Sequence, residues 1–315
     1  MYFEWEDCVA RLYRYANDDS PVPCDTVVEH ADALVMSIAV TIIERHTVAF
    51  LGTNDGRLMK AHITSSTQSN IYEELSIAAG GGNILSDMDF DATHRHVYVP
   101  TAKEVLKIKV EDCSQYENCT ACFGSLDPYC GWCTLERRCS MYSECPRSNT
   151  TSRWLDVFFK SSCILISNID PANSIPITVN QQITLTVVEL PSLLNQHQYK
   201  CVFGDIFMDV AEKYGSDLTC DTPHIDQRPD IPEGADHVKV PLYVESTETE
   251  KKFVQSYFHF YDCSSHSSCS DCVTSDWACN WCVYENRCTH YQETCPEDDQ
   301  TSIVIGTNVC SLINK

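Results

Sequence analysis

At 315 residues the chain is too long for one ordinary domain and suits roughly two to four small ones. Hydrophobic residues make up 43% of it, enough for packed cores, and Asp and Glu outnumber Lys and Arg by 45 to 22. A net charge of -23 argues against nucleic acid and an anionic membrane face as partners, because both would repel it; it reads as a solvated surface, with recognition of a basic partner as the alternative. Twenty cysteines point to an oxidising compartment, where thiols are not kept reduced.

In chain order, Met1 to Asp7 has neither a basic start nor an apolar run, so it does not read as a signal peptide. No stretch reaches the ~20 apolar residues that span a bilayer. A secreted-type composition with neither feature reads as a fragment of a longer protein. Glu6 to Tyr15 suits a short packing helix. Residues 34–43, 46–52, 57–63, 71–78, 84–90, 95–100 and 104–110 are short apolar or alternating runs that predict strands. Asn54-Asp55-Gly56 and Asp91-Ala92-Thr93-His94 are predicted turns, the first closing a hairpin between Thr47–Gly52 and Arg57–Lys60. This spacing of strands suits the four-stranded blades of a propeller.

A block of eight cysteines follows: Cys113, Cys119, Cys122, Cys130, Cys133, Cys139, Cys145 and Cys163. A second holds Cys263, Cys269, Cys272, Cys279, Cys282, Cys288, Cys295 and Cys310. Successive spacings are 6, 3, 8, 3, 6, 6 and 18 in the first and 6, 3, 7, 3, 6, 7 and 15 in the second. Cys130-Gly131-Trp132-Cys133 answers Cys279-Asn280-Trp281-Cys282, so the module is duplicated. A module this small buries too little surface to fold on its core alone. Four disulfides, each worth about 2–4 kcal/mol, would supply the difference. The tryptophan reads as a hydrophobic plug against the bridges rather than a stacking platform for a ligand. Zinc is the rival reading of paired Cys-x-x-Cys, but the second pair follows sooner than in zinc ribbons, and zinc needs reduced thiolates. Redox catalysis needs a strand–helix setting that Asp127-Pro128 argues against. Asn118-Cys119-Thr120 and Asn149-Thr150-Thr151 are sequons, so Asn118 and Asn149 are candidate glycan acceptors.

Between the blocks, Ile183–Val188, Val238–Val244 and Phe253–Phe260 alternate like strands of an immunoglobulin-like sandwich, within which Cys201 and Cys220 read as a pair. No catalytic frame is evident: there is no Gly-x-Ser-x-Gly, no His-Glu-x-x-His and no phosphate-cradling glycine loop. Gly80-Gly81-Gly82 and His94-Arg95-His96 read as a turn and a solvated strand start, not as a phosphate loop and a metal pair. No catalytic, cofactor-binding or metal residue is assigned, and no cofactor is expected.

Asp127-Pro128-Tyr129-Cys130-Gly131-Trp132-Cys133 resembles the signature of the plexin–semaphorin–integrin (PSI) module. The β array entering it through Val105–Cys113 resembles the end of a sema propeller. A sandwich resembling an IPT/TIG domain and then a second module, joined at Tyr261-Asp262-Cys263-Ser264, follow the order found in plexins. His46–Thr53, Glu248–Phe253 and Cys279–His290 lean towards class A. The expected architecture is mainly β. Propeller end occupies 1–111, PSI module 1 occupies 112–163, IPT/TIG sandwich 164–262 and PSI module 2 263–310.

The resemblance further implies the pairings Cys113–Cys130, Cys119–Cys163, Cys122–Cys139 and Cys133–Cys145, which the residues alone leave open. In the second copy it implies Cys263–Cys279, Cys269–Cys310, Cys272–Cys288 and Cys282–Cys295. Cys8 and Cys24 resemble propeller cysteines whose partners lie upstream, which would leave them unpaired, the alternative being a bridge between the two, and an incomplete propeller would expose strand edges. The implied function is a non-enzymatic piece of a cell-surface semaphorin receptor in axon guidance, holding the propeller end and a rigid stalk on the extracellular side of the plasma membrane. Semaphorin is the implied partner of the whole receptor, mostly through regions outside this chain, with receptor self-association as a second contact. A secreted decoy or scaffold built of the same modules is the alternative.

Overall fold

Alternating apolar runs and turn residues build almost the whole molecule from antiparallel strands. The structure is a computed structural model that describes residues 28, 32–78, 82–159, 162–290, 295, 303–304 and 310. It divides into two units, 1–163 and 164–315. Cys8, Cys24 and the Glu6–Tyr15 segment lie outside the described residues.

The first unit opens with strands β1 (Val35–Ile43), β2 (His46–Thr53), β3 (Arg57–Ser65) and β4 (Gln68–Ser76), which form one antiparallel meander in chain order. The Asp55-Gly56 turn closes the β2–β3 hairpin, with Gly56 at φ +84°, a backbone state that costs glycine little. A smaller sheet follows in the order β5 (Asp89–Phe90), β6 (His96–Pro100) and β7 (Val105–Lys109). Residues 84–90 do not form the expected strand: only Asp89–Phe90 is one, and Ile84 makes a single bridge to Thr101. Asp87 at φ +76° interrupts the run, so its apolar side chains, Ile84 and Met88, pack without a ladder. The Asp91 turn is as expected. Its carboxylate accepts from the Thr93 N–H at 3.2 Å and the Arg95 N–H at 3.0 Å.

The first cysteine block then forms helix α1 (Cys119–Gly124) and a sheet of β8 (Gly131–Cys133), β9 (Arg138–Ser140) and β10 (Trp154–Asp156), ordered β10-β8-β9. Gly131 is required here, because a Cβ at this position would collide with the Trp154 ring and the Leu155 carbonyl. One apolar core runs from the blade strands through Val48, Phe50, Val97 and Val110 into Cys113, Tyr129, Trp132 and Leu155 of the module.

The second unit is a sandwich followed by the second module. One sheet runs β11 (Leu165–Asp170), β13 (Gln182–Val188), β17 (Asp217–Asp221) and β16 (Glu212–Tyr214). The other runs β12 (Ser174–Pro176), β19 (Lys251–Tyr261), β18 (His237–Ser246), β14 (Tyr199–Phe203) and β15 (Phe207–Val210). The inward rows Ile183, Leu185 and Val187 of one and Val240, Leu242 and Val244 of the other are buried, as period-two alternation requires. Helix α2 (Cys269–Val273) and strands β20 (Cys279–Cys282), β21 (Arg287–His290) and β22 (Ile303–Val304) make up the second module. Among the described residues no helix is long and apolar enough to cross a membrane.

Candidate functional site: bridged modules and their joints

Cysteine spacing on short elements decides what each module can do. In the first, the structure joins Cys113 to Cys130, Cys119 to Cys163, Cys122 to Cys139 and Cys133 to Cys145, with Cα atoms 5.5 to 6.0 Å apart. In the second it joins Cys263 to Cys279, Cys269 to Cys310, Cys272 to Cys288 and Cys282 to Cys295. Cys201 on β14 and Cys220 on β17 join the two sheets of the sandwich. No Cys-x-x-Cys pair closes on itself, so none is a dithiol of the thioredoxin kind. The sulfurs of Cys263, Cys279 and Cys288 lie within 4.8 Å of one another, as do the Glu111 carboxylate and the Cys113 and Cys130 sulfurs. Each of these sulfurs sits in a disulfide and offers no thiolate to a metal.

Trp132 and Trp281 are buried among the bridges of their own modules. Asn118 is exposed and caps α1, its side-chain oxygen accepting from the Ala121 N–H at 2.9 Å. Asn149 is exposed on a turn. His94 and His96 are engaged separately: His94 stacks on Phe90, and His96 meets Asp91 at 2.9 Å.

Two joints went unforeseen in the sequence. Where the blade meets the first module, Lys60 on β3 is 2% exposed, pairs with Glu73 at 2.6 Å and donates to the Val110 carbonyl at 3.0 Å. Buried Asp127 of the module accepts from the Tyr129 N–H at 2.9 Å, and Phe50 meets the Tyr129 ring edge-on. Burial pushes the Asp127 carboxyl up to about 7, against the pull of that N–H and of Lys60. Alongside, His46 Nδ1 and His62 Nε2 lie 3.0 Å apart, His46 Nε2 reaches Asp156 on β10 at 3.2 Å, and the His62 ring packs on Phe158. Burial also lowers the His62 pKa, with the neighbouring His46 acting in the same direction.

At the second joint, Trp277 of module 2 stacks on Tyr261, the last residue of β19, with ring centroids 5.3 Å apart. Its indole N–H donates to Asp236 at 3.0 Å, and His237 and His259 lie against the same ring. Asp236 also meets His237 at 2.8 Å and His266 at 3.4 Å. Behind it, buried Arg228 donates to the carbonyls of Pro176, Ile177, Val179 and Pro223 and to the Asn180 side chain, with Phe260 under its guanidinium. All of these acceptors are neutral. Desolvation accordingly lowers its pKa to about 10. Charge placed by distant strands carries no local motif; only Asp127, inside Asp-Pro-Tyr-Cys, was signposted.

Comparison with known proteins matches four families along the chain: "Sema domain" over 15–91, "Plexin repeat" over 112–164, "TIG domain" over 170–261 and "Plexin A/B, PSI domain" over 269–295. Human plexin-B1 is 34% identical over 277 residues, 86% of this chain and 13% of that protein. Human plexin-A2 is 33% identical over 260 residues, covering 82% and 14%. The chain therefore spans about an eighth of the length of these relatives, and the near-equal identities do not separate class A from class B. The full extracellular region of plexin A4 superposes with a TM-score of 0.73 at 30% identity, covering 89% of this chain and 27% of that one.

Proposed function

The chain belongs to the plexin family, and we propose that it forms the end of a receptor's sema propeller and the first, stiff length of its extracellular stalk. Its divisions are 1–111, 112–163, 164–262 and 263–310. The observation that carries this reading is the pair of joints: the blade and module 1 share one apolar core, and the sandwich and module 2 share the Trp277–Tyr261–Asp236 contact. Each module is too small to hold its shape without its four bridges, and each is packed on its larger neighbour. A piece built this way transmits orientation and not chemistry, so we assign it no enzymatic step. Its place is the extracellular side of the plasma membrane, its glycans on Asn118 and Asn149, and its whole receptor's ligand a semaphorin bound mainly outside this chain.

The test replaces module 2 of a full receptor carrying this segment with a flexible Gly/Ser linker of equal span. Semaphorin binding at the cell surface should persist while the signalling response falls. An unchanged response would remove the stiff-spacer role. If the isolated chain bound semaphorin as tightly as the whole ectodomain, it would be a ligand-binding head instead.

A further inference from the structure

We propose that the open edge of β15 docks an extended, basic segment of a partner protein by strand addition. This inference is independent of the spacer role. β15 ends its five-stranded sheet and β16 ends the facing four-stranded one, so both sheets of the sandwich stop at the same margin. The backbone phase of β15 follows from its neighbour. Ala211 N–H donates to the Tyr199 carbonyl at 2.9 Å, and the register sets Cys201 against Asp209 and Phe203 against Phe207. Odd-numbered residues therefore exchange the ladder bonds with β14, and Met208 and Val210 point their N–H and C=O groups away from the sheet. Their side chains are 48% and 47% exposed, and Tyr214 on β16 is 87% exposed. An unpaired strand edge with exposed apolar side chains is a template for another strand.

Charge selects which strand. Residues 204–221 contain Asp205, Asp209, Glu212, Asp217 and Asp221 against the single cation Lys213. Lys213 is drawn over the Tyr199 ring at 5.4 Å, Lys252 lies over the Tyr243 ring at 4.7 Å and 3.8 Å from Asp205, and Lys200, opposite Val210 on β14, is held by Glu245 at 3.7 Å. An incoming segment that alternates Lys or Arg with β-branched residues would lay its apolar side chains on Met208 and Val210 and its cations among these carboxylates. An acidic segment would be repelled.

The test measures binding of the full chain to labelled acetyl-Lys-Val-Lys-Val-Lys-Val-amide and to the Glu-Val counterpart, by fluorescence anisotropy at two salt concentrations. The lysine peptide should bind, more weakly at high salt, and the glutamate peptide should not. Val210→Pro removes one outward N–H without touching a ladder bond and should weaken binding at least tenfold. An Asp205→Asn/Glu212→Gln double variant, which leaves the backbone alone, should weaken binding and flatten its salt dependence. Equal binding of the two peptides, no binding of either, or an unchanged affinity in Val210→Pro would overturn the proposal. So would self-association abolished by Val210→Pro without peptide binding, which would make the occupant a second copy of this chain.

Discussion

Asp127→Asn isolates the buried carboxyl at the first joint. In the folded chain burial pushes this acid up from an ordinary 3.8 to about 7, because it penalises the charged form more than the Tyr129 N–H and Lys60 favour it. Lys60 is already committed to Glu73 at 2.6 Å. The folded pKa is raised, so this group's contribution to stability is complete below about 3.8 and is lost as pH climbs through about 7. At about 1.4 kcal/mol for each pH decade, the elevation amounts to about 4 kcal/mol across that window. Asparagine keeps the acceptor for Tyr129 and cannot ionise, so it should abolish the dependence. Hydrogen exchange of the β8–β10 amides, followed from pH 5 to pH 8, provides the assay. The parent should lose protection towards pH 8 while Asp127→Asn holds steady. His62, whose pKa burial lowers, opposes the trend: its contribution to stability is complete above its ordinary 6.5 and is lost as pH falls from there through its lower folded value. It is common to both proteins and cancels in the comparison. Parallel profiles, or an asparagine variant weaker at every pH, would refute the reasoning.

Arg228→Met should destabilise the sandwich by about 3 kcal/mol, leaving buried carbonyls without donors, and Arg228→Lys should fail to restore it because one ammonium cannot reach all five acceptors; denaturant melts measure both. Trp277→Ala should free the second module, at a cost of about 2 kcal/mol in stacking and charge-assisted hydrogen bonding, seen as faster exchange at residues 236–237 and 261 with the bridges intact. Gly131→Ala forces a Cβ into Trp154 and should lower the yield of correctly bridged chain, measured by disulfide mapping of secreted material.

The repeat of cysteines and tryptophans was legible because covalent staples demand fixed residues at fixed offsets, and the strand meander because short apolar or alternating runs stand between turn residues: β1 alternates, while β2 and most of β3 are buried on both faces and read as continuous apolar runs. Residues 84–90 misled for a physical reason. Apolar side chains at Ile84 and Met88 satisfy a core equally well from a loop, and nothing in the composition announces the positive φ at Asp87. The joints were hidden more deeply. Lys60 meets Val110 across 50 positions, His46 meets Asp156 across 110, and Arg228 reaches back about as far as Lys60 does. Such meetings are set by which strands become neighbours, and no window of sequence holds both partners.

The bridge from Cys119 to Cys163 spans 44 positions, and that from Cys269 to Cys310 spans 41. Each ties a residue near the start of a module to one near its finish. Tension pulling on such a module crosses through sulfur and leaves the hairpins between unloaded. Under mechanical load the modules would therefore act as inextensible links, and any give would come from the segments outside them.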